Sequence, residues 1–555
     1  MTVDSLKDNK IMRAAHNLMQ KRRLIIIVIA ALTAIAVTIV VISIFGSARN
    51  FIYGAELSQL ERLNNNLVRL DIFRLCIILF LILSASAVCI MLCLNIKLEY
   101  LFLVAALCFG LTYMFVMTPM SIPDEMHHYH SAYAIAGYML FDNNPMLVDT
   151  RHFDYRMIAS HRNISPAYLR LIDEGVFRLY GYGQLIELPM PYDFRYPIQH
   201  LPQALGIFIA RLLNLSFLGV FYFGRFFNLL FYLLCVFLAI KRLSGFRLPL
   251  LMIGLLPMSL QQAASFSSDA FINGISILLI AYSVYYAYEK ESFNWRDFAT
   301  LLFLGILLAP AKMVYAPIAL LAILAAKKWR ESEGAKAWLL GGIIVAISAT
   351  VAIVTFVLIS VFGEAFGPEI NWEGGHNFTV AFVLENPITA LLIFLRTIYH
   401  DFECYTYCAF GWYLSGLTIT LPISYPRIII AICILSVFYG NRDEWKPAIF
   451  DRFVFIAISG AVVLLTMISM FLGHTSDFHV IIRGIQGRYF VPLLPLAALM
   501  IRHNRILVPY RFFRNALIIA LISMQIAVIM YVLNHTVGLD LTEFAIKLPY
   551  ICCDV

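Results

Sequence analysis

Several short polar stretches interrupt an otherwise apolar sequence, and each carries side chains able to move protons or hold anions. The first reads Pro119-Met-Ser-Ile-Pro-Asp-Glu-Met-His-His-Tyr-His130. Its adjacent carboxylates, Asp124 and Glu125, follow a proline suited to the first turn of a helix. In such a helix Asp124 and His128 lie one turn apart on one face. A carboxylate there can take a proton from a hydroxyl, while a histidine orients it or binds an anion. The competing reading is that Asp124 or Glu125 caps the helix and the histidines are solvated, because acidic residues favour helix starts in any case. A divalent cation (Mg or Mn) on Asp124, Glu125 and His128 is a further alternative, although the stretch is not HExxH and no second ligand group has diagnostic spacing.

Three more stretches complete the set. Ser267-Ser-Asp269 breaks an apolar hairpin; an outer turn needs polar residues anyway, but Asp269 beside a span end can face a cavity. Lys312, in Ala309-Pro-Ala-Lys-Met-Val-Tyr315, is expected in an outer turn, where the positive-inside bias makes a lysine unusual; snorkelling is the alternative. Arg483-Gly-Ile-Gln-Gly-Arg-Tyr489 opens another apolar run. The Arg488 guanidinium can grip a phosphate with paired donors, or anchor to lipid head groups. Together these groups offer a base for an acceptor hydroxyl and positive charge for a leaving phosphate. Sugar transfer from a lipid phosphate needs both: the anomeric centre becomes oxocarbenium-like as the phosphate departs, and cations in a low-dielectric pocket stabilise the departing charge.

The elements that must position these groups are membrane spans. Of 555 residues, 61% are hydrophobic and 14% charged, against roughly 45–50% and 25% in soluble domains. Apolar runs reach the length of about 20 that crosses a bilayer. These figures exclude a soluble enzyme, a disordered scaffold and a secreted disulfide domain. The net charge of +7 is concentrated between apolar runs, as in cytoplasmic loops, so nucleic acid is not an expected partner. The cysteines lie mostly inside apolar stretches, where a thiol is a small hydrophobe; redox chemistry at Cys404 with Cys408, or at Cys552 with Cys553, is the minor alternative to that reading.

Lys7, Lys10, Arg13, Lys21, Arg22 and Arg23 predict a cytoplasmic N-terminus. The first apolar run, about residues 24–45, is too long for a signal-peptide core and is expected to be an anchor. Alternation then puts 46–70 outside, a return span over 73–94, an exit over 101–118, and the polar stretch 119–200 outside. Further spans are expected at 217–240, 248–264, 270–288, two within 301–325, 338–361, 427–439, 453–472, 489–501 and 515–533, making about 13 with the C-terminus outside. Residues 201–213 and 387–400 are expected to lie in the interface. The expected fold is all-α and polytopic. It divides into a cytoplasmic N-terminus with two spans (1–98), a membrane unit (99–535) with outer loops 119–200 and 362–423, and an outer tail (536–555).

Pro123-Asp-Glu-x-x-His128, Ser-Ser-Asp269, Lys312-x-x-Tyr315, Phe410-Gly-Trp412 and Gln486-Gly-Arg-Tyr-Phe-Val-Pro492 together resemble a largely uncharacterised group of bacterial multi-pass proteins related to the GT-C superfamily of membrane glycosyltransferases. The likeness runs from about residue 100 to 500. It implies a GT-C-like fold and an inverting enzyme using polyprenyl-phosphate-linked sugars, with a base in the first large outer loop. By that pattern Asp124 is the base, with Glu125 second; Arg488 and Lys312 contact donor phosphate; and His127 or His128 orients donor or acceptor. Asp269, Gln486, Tyr489, Tyr315 and Trp412 are the implied substrate contacts. The acidic loop follows the third span here, whereas GT-C enzymes usually carry it after the first, a departure that two extra N-terminal spans would explain.

The expected function is therefore sugar transfer from a polyprenyl-phosphate donor to a glycan or lipid-linked acceptor, on the outer face of a bacterial plasma membrane. A transporter or flippase for lipid-linked glycans is the rival, and a non-catalytic subunit of a wall-assembly complex the third option. Transporters tend to carry ionisable groups near mid-bilayer on broken helices; here the candidates are expected at outer span ends.

Overall fold

Hydrogen-bond satisfaction without water forces the long apolar runs into helices, and the computed structural model is helical almost throughout. It describes residues 24–44, 59–145, 147–152, 184–187, 196–292, 294–362 and 376–537. The basic residues up to Arg23, residues 153–183 and 188–195 of the long polar stretch, Cys552, Cys553 and the tail beyond residue 537 lie outside the described residues.

The chain divides into two units, Met1–Thr112 and Tyr113–Val555. The first holds α1 (Leu24–Ile44), α2 (Gln59–Cys93) and most of α3 (Leu98–Val116). Within it the Thr33 and Ser86 hydroxyls meet at 2.6 Å, tying α1 to α2.

The second unit continues with α4 (Glu125–Met139), a two-stranded antiparallel pair β1 (Leu147–Asp149) and β2 (Leu185–Glu187), α5 (Leu201–Leu212), α6 (Phe217–Arg242), α7 (Arg247–Gly254) and α8 (Pro257–Ala263). Next come α9 (Asp269–Tyr288), α10 (Trp295–Leu308), a 3-10 helix over Met313–Leu321, α11 (Ala322–Glu333), α12 (Lys336–Phe362), α13 (Val380–Glu385) and α14 (Pro387–Ala409). A short hairpin, β3 (Tyr413–Leu414) with β4 (Ile419–Thr420), leads to α15 (Ser424–Val437) and α16 (Ile449–His474). The second of the two longer 3-10 helices (Gly487–Leu493), α17 (Leu494–Ile501) and α18 (Arg511–Val537) complete it, with 3-10 turns of three or four residues at Pro197–His200, Ser244–Phe246 and Asn504–Ile506.

Helix α9 is the axis of this unit. Of its most apolar window 83% is buried, against 17% for α12, and it packs on α6, α10, α11 and both 3-10 helices. Both 3-10 helices and α8 are held short by proline: Pro257 begins α8, and Pro317 and Pro492 lie inside the 3-10 segments, where an α-helix would lose a donor and clash.

Among the described residues, eight helices are long and apolar enough to span a membrane: α1, α2, α3, α6, α9, α12, α16 and α18. The other expected spans are shorter or broken. The run 248–264 is divided between α7 and α8, and α10 and α15 have 14 residues each, or about 21 Å at 1.5 Å per residue. Residues 201–213 form α5, which buries Gln203, Ala204 and Ile207 and exposes Leu205 and Leu212.

Candidate functional site

Asp124 sits at the entrance to α4 with φ +60°, a left-handed conformation that Asp tolerates better than most residues. Its side chain makes no capping hydrogen bond, contrary to the capping alternative. The carboxylate instead accepts a hydrogen bond at 2.9 Å from the Arg488 guanidinium, 364 residues later in the chain. The same guanidinium lies 3.5 Å from an Asp269 carboxylate oxygen. Arg488 and Asp269 are buried, whereas 57% of the Asp124 side chain is exposed. Asp124 thus sits at the exposed edge of this cluster. Burial alone would raise its pKa; the Arg488 guanidinium, helped by His128 and His127, outweighs that and holds it below the usual carboxylate range.

His128, one turn along α4, is hydrogen-bonded through Nδ1 to Nε2 of His200 at 2.9 Å. Burial, then the neighbouring His200, lowers its pKa well below the ordinary value. His127 is half-buried beside it.

Glu125 turns the other way. Both its oxygens pair with Arg225, from Nε at 2.9 Å and Nη2 at 2.8 Å, with neither side chain exposed. The remaining Arg225 donors reach the carbonyls of Met114, Met117 and Thr118 at 2.8–3.0 Å, so the guanidinium spends its full complement of five N–H groups. Glu125 also accepts the Phe266 backbone N–H at 3.1 Å. Asn228 donates to the carbonyls of Ser265 and Ser267, and Gln203 to that of Phe266. The segment carrying Asp269 is therefore pinned by side chains from α4, α5 and α6. This corrects the reading of Glu125 as the second base: its lone pairs are committed to a buried ion pair. It also dissolves the expected cation triad. With Glu125 turned away, Asp124, Glu125 and His128 share no centre, and no metal-ligand group of three forms among the described residues.

Lys312 packs its ammonium 3.9 Å from the Tyr489 ring centroid, a cation–π contact that keeps the charge beside Arg488. The Tyr315 hydroxyl donates to the Tyr489 carbonyl at 2.8 Å, joining the two 3-10 helices. Gly487 lets the second of these approach α14: a Cβ there would overlap the Tyr405 carbonyl and Cys408. Next to Arg488 lies a narrow cleft with free space for about one water molecule. Gln486 lines it; Trp412 does not, but its ring lies tilted against that of Tyr413, which does, with centroids 4.7 Å apart.

The structure thus gathers Asp124, Asp269, Arg488, Lys312, Tyr315 and Tyr489, with Gln486 in the adjoining cleft. It removes Glu125 to a buried clamp and leaves Trp412 one residue behind the wall. Arg225, His200, Gln261 and Gln262 were missed in the sequence. A signal for Arg225 existed: an ionisable residue inside the apolar run of α6.

Residues 191–497, more than half of the chain, match a family described as a predicted membrane protein, DUF2142. The chain belongs to that family. The matched segment contains Arg225, Asp269, Lys312, Tyr315, Gln486, Arg488 and Tyr489, whereas Asp124, Glu125, His127 and His128 precede it. No curated protein and no solved structure matches the chain.

Proposed function

We propose that this protein is an inverting, GT-C-type glycosyltransferase working on the outer face of a bacterial plasma membrane. It moves a sugar from a polyprenyl-phosphate donor to a cell-surface glycan or lipid-linked acceptor. The observation that carries this reading is the meeting of Asp124 with Arg488 across 364 residues of sequence, with Asp269 against the same guanidinium and Lys312 on the Tyr489 ring that Arg488 also approaches. An exposed carboxylate, a buried guanidinium and a half-buried ammonium are the two halves of a displacement at an anomeric carbon. Asp124 accepts the proton of the acceptor hydroxyl as its oxygen bonds to the anomeric carbon. The bond from that carbon to the phosphate oxygen breaks, and polyprenyl phosphate leaves with the electron pair. Arg488 and Lys312 stabilise the departing charge, which a water-poor site makes worth far more than in bulk solvent. In this reading the shorter apolar helices supply the crossings beyond the eight long ones, for about 13 in all, with α5 and the start of α14 in the outer interface.

One observation favours the rival transporter or flippase. Along α9, below Asp269, the buried side chains of Asn273, Ser276 and Ser283 leave polar atoms without hydrogen-bond partners, a polar track at membrane depth. The two readings separate in liposomes containing purified protein. Asp124→Asn is expected to lower sugar transfer by about 10²–10⁴-fold without loss of folded protein. Wild-type turnover in that variant would remove Asp124 from the chemistry, and passage of lipid-linked sugar across the bilayer without transfer would favour the transporter.

A further inference from the structure

We infer that the cleft beside Arg488 is a subsite that reads the hydroxyl groups of the sugar attached to the lipid phosphate; this rests on the glycosyl-transfer reading. The cleft is built from α8, the β3–β4 hairpin and the turn before the second 3-10 helix. Two of its lining amides are unfinished. Gln262 is fully buried, yet its Oε1 has no hydrogen-bond partner and its Nε2 reaches only the Met258 sulfur, at 3.3 Å. Gln486 likewise has a buried Oε1 without a partner. Buried amide groups are almost always paired, and an unpaired one is destabilising, so two facing one cleft mark an absent polar occupant.

The amide next to Gln262 does have a partner. Gln261, next in sequence, accepts the Ser415 backbone N–H at 2.9 Å, and the Ser415 hydroxyl donates to the Ser121 carbonyl at 3.0 Å. The hairpin is thereby fastened over the cleft, with Ser415 and Leu417 both held at positive φ.

The chemistry of the lining selects the occupant. Its charge comes from Arg488 alone; Gln262 and Gln486 are neutral groups that both accept and donate, as sugar hydroxyls do. Tyr413, backed by Trp412, offers a ring face. A neutral polyol whose anionic linkage rests on Arg488 fits this set; a free anion or a cation would leave the amides unused. The unliganded walls stand close, with free space for about one water molecule, so the ring must part them on entry. One sugar ring, not an oligosaccharide, is the expected occupant.

The test compares binding of bare polyprenyl phosphate with a panel of polyprenyl-phosphate monosaccharides, using the full chain in lipid nanodiscs. Wild type is expected to hold at least one sugar-bearing lipid about tenfold tighter than the bare lipid, the scale of one or two well-made hydrogen bonds. Gln262→Met and Gln486→Leu are expected to erase that preference while leaving bare-lipid affinity unchanged; Arg488→Ala is expected to weaken both. Thermal unfolding without lipid supplies the structural control: Gln262→Met loses an unpaired buried amide, so its Tm is expected to hold or rise. Retention of the sugar preference in both glutamine variants, or equal wild-type affinity for bare and sugar-bearing lipids, overturns the subsite. Failure of wild type to bind any polyprenyl phosphate instead overturns the glycosyl-transfer reading on which the subsite rests.

Discussion

At the scale of single residues, Asp124 and Arg488 restrain each other. Paired at 2.9 Å, the guanidinium keeps Asp124 ionised but weakly basic, because it favours the charged form. A donor phosphate that takes Arg488 withdraws this stabilisation, so the Asp124 pKa rises in the complex and the carboxylate becomes a better base when an acceptor arrives. The sign comes from the depressed pKa. The ionised pair persists above the ordinary carboxylate range and is lost only as pH falls through the lower, folded value. The acid limb of kcat/KM, which reports free enzyme, is therefore expected at lower pH than the acid limb of kcat, which reports the complex. pH–rate profiles on liposomes measure both; coincident limbs would show that the phosphate does not relieve Asp124. The residue types at Asp124 and Arg488 were legible as ionisable groups beside apolar runs. Their pairing was not, since neither periodicity nor spacing links positions 364 apart. The division of labour between Asp124 and Glu125 was equally hidden. Adjacent carboxylates look alike in sequence, and only the left-handed turn at Asp124 sends one outward and the other to Arg225.

At the scale of elements, Arg225 is the joint that sets this geometry. From α6 it ties the end of α3 to the start of α4, and through Glu125 and the Phe266 N–H it reaches the segment before α9. Removing one member of a buried pair leaves the other charged and unpaired, which costs about 3–5 kcal/mol. Arg225→Met also strips donors from three carbonyls. It is expected to destabilise the protein by at least that much in chemical unfolding in detergent, with part of the loss recovered in the double variant Arg225→Met/Glu125→Gln. A single-variant change below about 1 kcal/mol would show that water reaches this clamp. Long apolar runs announced the eight spanning helices because length and hydropathy suffice for that reading. The shorter pieces were harder, since Pro257, Pro317 and Pro492 divide apolar stretches whose composition is otherwise that of a span.

At the scale of the molecule, every gathered site residue from Asp124 to Tyr489 lies within Tyr113–Val555, and the DUF2142 segment lies within the same unit. The division between units falls inside α3, so a clean cut belongs just before that helix. On the proposed topology, deleting residues 1–95 removes α1 and α2, an even number of spans, and leaves Lys97 to hold the start of α3 on the cytoplasmic side. Deleting only 1–50 removes one span and is expected to invert or scramble the remaining spans. The exposed Asn143, in the loop after α4, reports the result. With Asn143→Cys, a membrane-impermeant maleimide added outside cells is expected to label the full chain and the 96–555 chain equally, but not the 51–555 chain. The 96–555 chain is also expected to retain the sugar transfer of the full chain in liposomes, because no gathered side chain is lost. Correct labelling without transfer would assign the first two spans a part in catalysis or substrate delivery. Loss of labelling would show that Lys97 alone does not orient α3, and that the basic N-terminus sets the topology of the molecule.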